Sequence, residues 1–220
     1  MLAIFDLDET LIQGDSSQLF TEFLRAQEIE RTDDALDKDR DFMSDYRQGR
    51  LNLQAYMEFS LAPLQGWHRE QLNTLVSRFI DCVIASRVLP TGRERVAWHK
   101  AQGHRVLIIS ATGEHLVKPI AQHLGIEEGI GVEVEWRDGS LTGQIGPRRP
   151  FQEGKVAALR EWLGRDQVTP EKTWFYSDSH NDLPLLEQVD FPVAVNPDPR
   201  LRQHAQKHGW QILTDSAALP

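Results

Sequence analysis

Two carboxylates stand two residues apart near the start of the chain, in Asp6-Leu7-Asp8-Glu9-Thr10. They directly follow the apolar run Leu2-Ala3-Ile4-Phe5. A pair leaving a sheet edge in this way can point into one site. One carboxylate can then attack an electrophile and become a mixed anhydride, while the other moves the proton of the leaving group. Taken alone the pair is weak, because acids are common where a strand gives way to a loop. A second station is Ser110, which closes the run Val106-Leu107-Ile108-Ile109 and precedes Ala111-Thr112-Gly113. A hydroxyl and free backbone N–H groups at a helix start bind anions, although a serine there is more often a plain N-cap. The third is Lys155, in Glu153-Gly154-Lys155, at a helix start where the dipole disfavours a cation. It suits a reach toward a phosphoryl group and a carboxylate; the ordinary reading is an exposed lysine. The fourth is Ser177-Asp178-Ser179-His180-Asn181-Asp182. Asp178 and Asp182 straddle a turn and suit a hard cation such as Mg²⁺, which takes one or two carboxylates together with water and substrate phosphate. His180 has no second histidine at a ligand spacing, so oxygen donors carry the metal reading.

The elements that must position these stations can be read from the apolar pattern. Residues 2–5, 106–109, 173–176 and 191–195 read as buried strands, each ending at polar residues. Helical spacing fills 92–102, 114–124 (closed by Gly125) and 153–163 (closed by Gly164, with Pro170 beyond). This alternation predicts an α/β fold with a parallel sheet whose site lies at the carboxyl ends of the strands. Residues 132–136 and 141–145 alternate around Asp138-Gly139, which predicts an appended hairpin. Residues 15–86 contain no strand-like run and read as an all-helical insert between the first two strands. The insert carries 13 acids against 8 bases, and its densest stretch, Asp33 to Asp45, reads as a solvated helix face.

Composition bounds the function. The 220 residues carry 24 Lys+Arg and 33 Asp+Glu, a net charge of −9, with 40% hydrophobic and 26% charged residues. That balance is ordinary for a globular protein and argues against nucleic acid or a basic membrane-surface role. No run approaches a membrane span and no basic leader opens the chain, so a cytoplasmic protein is expected. The single cysteine, Cys82, lies in the apolar stretch Phe79-Ile80-Asp81-Cys82-Val83-Ile84 and reads as an inert core residue in a reducing compartment. The six tryptophans read as packing residues. No Gly-x-Gly-x-x-Gly follows the first strand, which disfavours a dinucleotide enzyme.

The four stations in this order resemble the haloacid dehalogenase-like hydrolase superfamily, and within it the branch of phosphoserine-phosphatase-like and histidinol-phosphatase-like members. The likeness spans essentially the whole chain. It implies a Rossmann-like doubly wound parallel sheet core with a small β-hairpin and a helical cap after the first strand. The core would comprise 1–14 and 87–220, and the cap 15–86. It further implies a Mg²⁺-dependent phosphatase acting on a small phosphomonoester such as histidinol phosphate or phosphoserine, as a monomer or homodimer. In that pattern Asp6 is the nucleophile that forms an aspartyl-phosphate. Asp8 is the general acid and base, and its backbone carbonyl also ligates the metal. Asp6 and Asp178 supply carboxylate ligands. Ser110, Ala111, Thr112 and Lys155 hold the phosphoryl group, with Lys155 also neutralising charge at Asp6. Thr10 fixes the first loop, and Asn181 and Asp182 support the metal shell and Lys155.

Two departures bear on substrate. The second motif, usually Ser-Gly-Gly in phosphoserine phosphatases, is here Ser110-Ala111-Thr112. The fourth, usually Gly-Asp-Gly, is here Ser177-Asp178-Ser179 followed by His180. In that branch an acid nine positions after the nucleophile meets the substrate amine; the matching residue is Asp15, whose sequence equally suits a helix cap. A cap arginine there meets the substrate carboxylate, with Arg47 and Arg50 as candidates. A phosphotransferase using the same intermediate, or a non-catalytic phosphate-binding module, are the alternative readings.

Overall fold

In the computed structural model, residues 1–29, 34–167 and 169–215 are described. The first apolar run forms β1 (Leu2–Phe5), buried along its whole length. Four helices follow it: α1 (Ser16–Ala26), α2 (Ala35–Arg47), α3 (Leu53–Leu61) and α4 (Arg69–Phe79). The chain continues through α5 (Pro90–Ala101), β2 (Arg105–Gly113), α6 (Glu114–His123) and β3 (Glu128–Val132). A hairpin, β4 (Val134–Arg137) and β5 (Ser140–Ile145), leads to α7 (Glu153–Arg165) and β6 (Thr173–Ser177). The short α8 (Leu183–Leu186), β7 (Phe191–Val195), α9 (Pro199–His208) and β8 (Gln211–Leu213) complete it.

The sheet order is β3-β2-β1-β6-β7-β8, with every neighbouring pair parallel. β1 lies between β2, the next strand in the chain, and β6, which comes only after β3 and the hairpin, so strand order reverses there. A crevice at the carboxyl ends is the geometric consequence. Successive β1 residues face opposite layers: Leu2 and Ile4 pack in one apolar cluster, Ala3 and Phe5 in the other. Both faces are covered by helices, which is why this strand is apolar throughout.

The α/β reading holds, with local corrections. Gly164 does not close α7; the helix runs to Arg165 and is capped at Asp166. Gly125, with φ +70°, does stand just past the end of α6. Residues 128–132 form the edge strand β3, which charged residues and two glycines hide in the sequence. Those glycines are required by close approach. A Cβ on Gly131 would lie 2.6 Å from the Thr112 carbonyl, and one on Gly129 would lie 3.0 Å from Val117. Cys82 is exposed, contrary to expectation. It sits in a π-helical turn, Ile80–Ile84, where Ile80 and Ile84 take the inward positions. The acidic stretch is not uniformly solvated either. Asp33 lies outside the described residues, but α2 turns Ala35, Asp39 and Met43 inward at helical spacing.

The helices between β1 and β2 are tied to the rest of the chain at several places, and three of these set the frame of the sheet end. Ile12 bridges Val88, and Leu89 N–H donates to the Leu11 carbonyl at 2.9 Å where the chain leaves and re-enters the sheet layer. The hairpin pairs with the segment before α4: Gly66 N–H donates to Leu141 O at 2.8 Å, and Leu141 N–H to Trp67 O at 2.9 Å. The guanidinium of Arg69 lies 4.0 Å above the Trp136 ring. Finally, the Asn181 side-chain amide donates to the Tyr46 carbonyl at 2.9 Å, and that of Gln152 to the Gly49 carbonyl at 3.3 Å.

Candidate active site

Strand register assembles the four stations. Phe5 pairs with Ile108 on one side and Tyr176 on the other. The residues just beyond, Asp6, Ser110 and Asp178, therefore reach the same end of the sheet. Asp6 N–H donates to the Tyr176 carbonyl at 2.9 Å, which fixes the point where the chain departs. The turn closes at once, with Leu11 and Ile12 N–H both on the Leu7 carbonyl and Glu9 at φ 53°.

Lys155 is only 1% exposed and binds two acids. Its Nζ lies 2.9 Å from Asp6 Oδ1 and 2.7 Å from Asp182 Oδ2. Asp182 Oδ2 also accepts from Ser177 Oγ at 2.6 Å. The backbone that delivers Lys155 is tightly constrained. Gln152 stands at φ 52°, and a Cβ on Gly154 would fall 1.9 Å from the Arg149 carbonyl. Burial opposes the lysine's charge, but Asp182 and Asp6 outweigh it and raise its pKa. Burial pushes Asp6 up to about 6; Lys155 works against that shift and Asp182 adds to it.

Asp8 is held in one orientation. Its Oδ1 accepts from Ser16 N–H at 2.8 Å, and its Oδ2 from Thr112 Oγ1 at 2.8 Å. Burial first, then the charges of Asp15 and Asp6, raise its carboxyl well above the ordinary range, so it carries a proton more readily than a free aspartate. The Thr112 hydroxyl is thus committed to Asp8, and its N–H donates to Ser110 Oγ at 3.2 Å. Thr112→Val is expected to lower kcat about tenfold with KM little changed, because it frees the proton-transfer group without touching the nucleophile; steady-state kinetics read this split.

The cavity is lined by Asp6, Asp8 and Asp178 from the strand ends, by Ser110, Ala111 and Thr112 from the second loop, and by Asp15, Met43, Tyr46 and Tyr56 from the helices above. Among the described residues no lysine, arginine or histidine lines it, and the cation nearest its floor is Lys155, bound behind Asp6. The Asp178 carboxylate has no hydrogen-bond donor among the described residues, and its pKa is raised by burial and by the charges of Asp6 and Asp182. Carboxylates in such excess over cations fit a hard divalent ion in donor chemistry, with Asp6 and Asp178 as its acid ligands. Among the described residues no three acid, histidine or cysteine side chains converge to cage a metal; Mg²⁺ does not need such a cage.

Several expected roles shift. Arg47 and Arg50 do not reach the cavity: both are exposed, and Arg50 pairs with Asp45 at 3.0 Å. They lie on the last turn of α2 and just past it, and the inward positions there belong to Met43 and Tyr46. Thr10 is fully buried, yet its hydroxyl has no partner, so backbone bonds rather than that side chain fix the first loop. Asn181 contacts Tyr46 and Gln152, tying the sheet end to α2. His180 turns away, with Nδ1 2.7 Å from Asp198. Asp15 both caps α1, accepting from Gln18 N–H at 2.9 Å, and lines the cavity. Sequence reasoning missed Ser16, Ser177 and Gln152, whose contributions depend on long-range contacts that no local pattern announces.

Asp39 is also unannounced. It is 1% exposed, and neither carboxylate oxygen has a hydrogen-bond partner. Burial, with the charges of Asp15 and Glu22, pushes its pKa up to about 7. A raised carboxyl pKa favours the folded state at low pH, and that contribution is lost as pH rises from about 4 through 7. Asp39→Asn is therefore expected to melt higher than wild type at pH values above about 7, with the gap shrinking toward pH 4. Melting curves across that range check it.

A family model described as haloacid dehalogenase-like hydrolase matches residues 3–187, and the chain belongs to that family. It is 38% identical to a histidinol-phosphatase of Neisseria meningitidis, over 96% of this chain and 97% of that one. It is 32% identical to a phosphoserine phosphatase of Mycobacterium tuberculosis, over 96% of this chain and 69% of that one. A solved structure of a protein of unknown function from Bordetella pertussis Tohama I superposes with a TM-score of 0.89 at 35% identity, covering 96% of this chain and 97% of the other. Among the described residues no helix is long and apolar enough to cross a membrane.

Proposed function

We propose that this hydrolase is a Mg²⁺-dependent phosphomonoesterase that works through an aspartyl-phosphate on Asp6, and that its substrate is a small amino alcohol phosphate without a carboxylate, such as histidinol phosphate. The observation that carries the chemistry is the buried Asp6–Lys155–Asp182 array beside an oriented Asp8. Lys155 engages Asp6 Oδ1, which leaves the other oxygen to attack phosphorus in line. The phosphorus–oxygen bond to the alcohol breaks, and Asp8 gives its proton to the departing oxygen. Asp8 then takes a proton from water as the water attacks phosphorus, releasing phosphate and restoring Asp6. Ser110 and the following amides hold the phosphoryl oxygens. Bound Mg²⁺, held by Asp6, Asp178 and the Asp8 carbonyl, supplies countercharge to the phosphoryl oxygens.

The substrate reading rests on what lines the cavity. Asp15 offers a carboxylate to an amine, while no lining cation offers itself to a carboxylate. Phosphoserine would leave its carboxylate without a partner; histidinol phosphate has none to satisfy. The relative named a histidinol-phosphatase supports the same choice. Residues 15–86 act as the cap that excludes water, over a core of 1–14 and 87–220. The enzyme works in the cytoplasm on a diffusing metabolite, as a monomer or homodimer, without nucleic acid or membrane. The test is phosphate release from histidinol phosphate, phosphoserine and p-nitrophenyl phosphate, with Mg²⁺ and with a chelator. Mg²⁺-dependent release that is fastest with histidinol phosphate is expected. Equal rates on histidinol phosphate and phosphoserine would overturn the substrate reading, and chelator-insensitive turnover the metal.

A further inference from the structure

A second hollow, away from the acids of the active site, opens beside the crossing of the two segments that join the sheet to the helices above it. Its floor is apolar, made by Leu11, Val88, Val96 and Leu124. Its basic side chains are Arg93, Lys100 and His123, and no acid lines it among the described residues. That is a local reversal in a chain whose net charge is −9. The volume is about 370 Å³, within the roughly 300–1,000 Å³ of small-molecule sites. Arg93, Val96, Ala97 and Lys100 share one face of α5 at helical spacing. The Lys100 ammonium donates to the Gly125 carbonyl, which leaves its stem to extend the apolar wall. The Arg93 guanidinium has no hydrogen bond or ion pair among the described residues. Asp215, at the start of α5, is committed elsewhere, accepting from Thr91 N–H at 2.9 Å and from the Asn196 amide at 3.2 Å. A free arginine on the surface is ordinarily just hydrated. Here it borders an apolar floor, and a carboxylate with an apolar body satisfies the charge and the floor together.

We propose that this groove binds a small apolar carboxylate and that its occupancy holds the crossing segments together. The acid group pairs with Arg93, and the hydrocarbon body lies along Val96 and Ala97 toward Leu124. Leu11 and Val88 belong to the two crossing segments, where Leu89 N–H donates to the Leu11 carbonyl at 2.9 Å and Gln13 N–H to the Arg87 carbonyl at 2.8 Å. Leu11 also closes the turn after Asp8, with its N–H on the Leu7 carbonyl at 2.8 Å. Gly92, beside Arg93, packs so closely on that turn that a Cβ would lie 2.9 Å from the Thr10 carbonyl. A ligand seated against both Leu11 and Val88 keeps its contacts only while the two segments stay paired, so binding favours the paired state. The site itself is independent of the chemistry at Asp6. Only its consequence for turnover, through the mobility of the cap, rests on the phosphomonoesterase reading.

Calorimetry on the full chain tests the site without turnover. The probe is octanoate; acetate supplies the acid without the body, and octylamine the body with the opposite charge. Octanoate is expected to bind roughly tenfold or more tighter than either control, because each lacks one of the two interactions. Arg93→Gln should weaken octanoate about tenfold. Ala97→Phe, which fills the groove, should abolish saturable binding. Hydrogen exchange then reads the crossing: octanoate is expected to slow exchange at the Leu11, Gln13 and Leu89 amides in wild type, and not at the same concentration in Arg93→Gln. No saturable octanoate binding, octylamine binding as tightly as octanoate, or an affinity unchanged in both variants overturns the site. Binding that leaves exchange at Leu11, Gln13 and Leu89 unaltered overturns its coupling to the crossing. If Ala97→Phe fails to fold, Arg93→Gln and the octylamine control still decide. A protein that binds octanoate in this way but releases no phosphate from any monoester keeps this site and loses the phosphatase reading. One that hydrolyses monoesters without binding octanoate does the reverse.

Discussion

Asp6→Asn is expected to lower kcat for phosphomonoesters by on the order of 10⁴-fold or more, because the residual amide cannot carry the phosphoryl group between alcohol and water. The same change should cost the fold little. Asp6 is buried and its carboxyl is pushed up to about 6, so its charge is already disfavoured by its surroundings. An asparagine keeps the shape and an oxygen for Lys155, which still binds Asp182 at 2.7 Å. The expected outcome is thus a folded protein, melting near or above wild type, with no measurable turnover. Kinetics paired with a melting curve separate this from simple unfolding.

Lys155→Met is expected to do the opposite to stability and the same to activity. Lys155 is the one cation between two buried acids, and removing it leaves Asp6 and Asp182 facing each other without countercharge. Breaking a buried pair in this way costs about 3–5 kcal/mol, which in a chain of this size lowers Tm by roughly 10 °C. The raised carboxyl pKa of Asp6 favours the fold at low pH, so the deficit of Lys155→Met should narrow on acidification as Asp6 takes up a proton. Adding Asp182→Asn should recover part of the lost stability, since it removes one stranded charge, and none of the activity. That non-additivity, read from the double-mutant cycle, distinguishes a charge network from a lysine that merely packs well.

The parts of the fold legible in sequence are those written in short-range pattern. Runs such as 2–5 and 191–195 are apolar on both faces because helices cover both sides of a parallel sheet, and their ends mark the sheet edge. The stations Asp6, Ser110, Lys155 and Asp178 were legible because each follows such a run or opens a helix. β3 was not: its sequence Glu-Gly-Ile-Gly-Val trades apolar bulk for glycines demanded by contact with α6 and the Thr112 carbonyl. Gly164 misled because a glycine past an apolar period signals a helix end, while α7 continues one residue beyond it. The acidic run of α2 hid Asp39, since charge density says nothing about which single acid turns inward. Arg47 and Arg50 failed as cavity residues for the same reason. Thr112 shows a subtler limit: its position was legible, and its partner, Asp8 more than a hundred residues away, was not.

The net charge of −9 belongs to this account as well. It argues against a long polyanion held by its phosphates. It does not exclude one phosphate carried to a site where Lys155, helix-start amides and a bound cation set the local field. The acids that make the sum negative include those that do the chemistry; burial first, and then the charges of neighbouring acids, raise the carboxyl pKa values of Asp8 and Asp178.

The central claim is that Asp6 carries the phosphoryl group. The most direct measurement is acid quenching of the enzyme during steady turnover of histidinol phosphate with Mg²⁺, followed by peptide mass analysis. The account predicts a peptide containing Asp6 that bears one phosphoryl group in wild type, disappears once substrate is exhausted, and is absent in Asp6→Asn. Sustained turnover with no phosphorylated protein, together with an Asp6→Asn variant as fast as wild type, would contradict it.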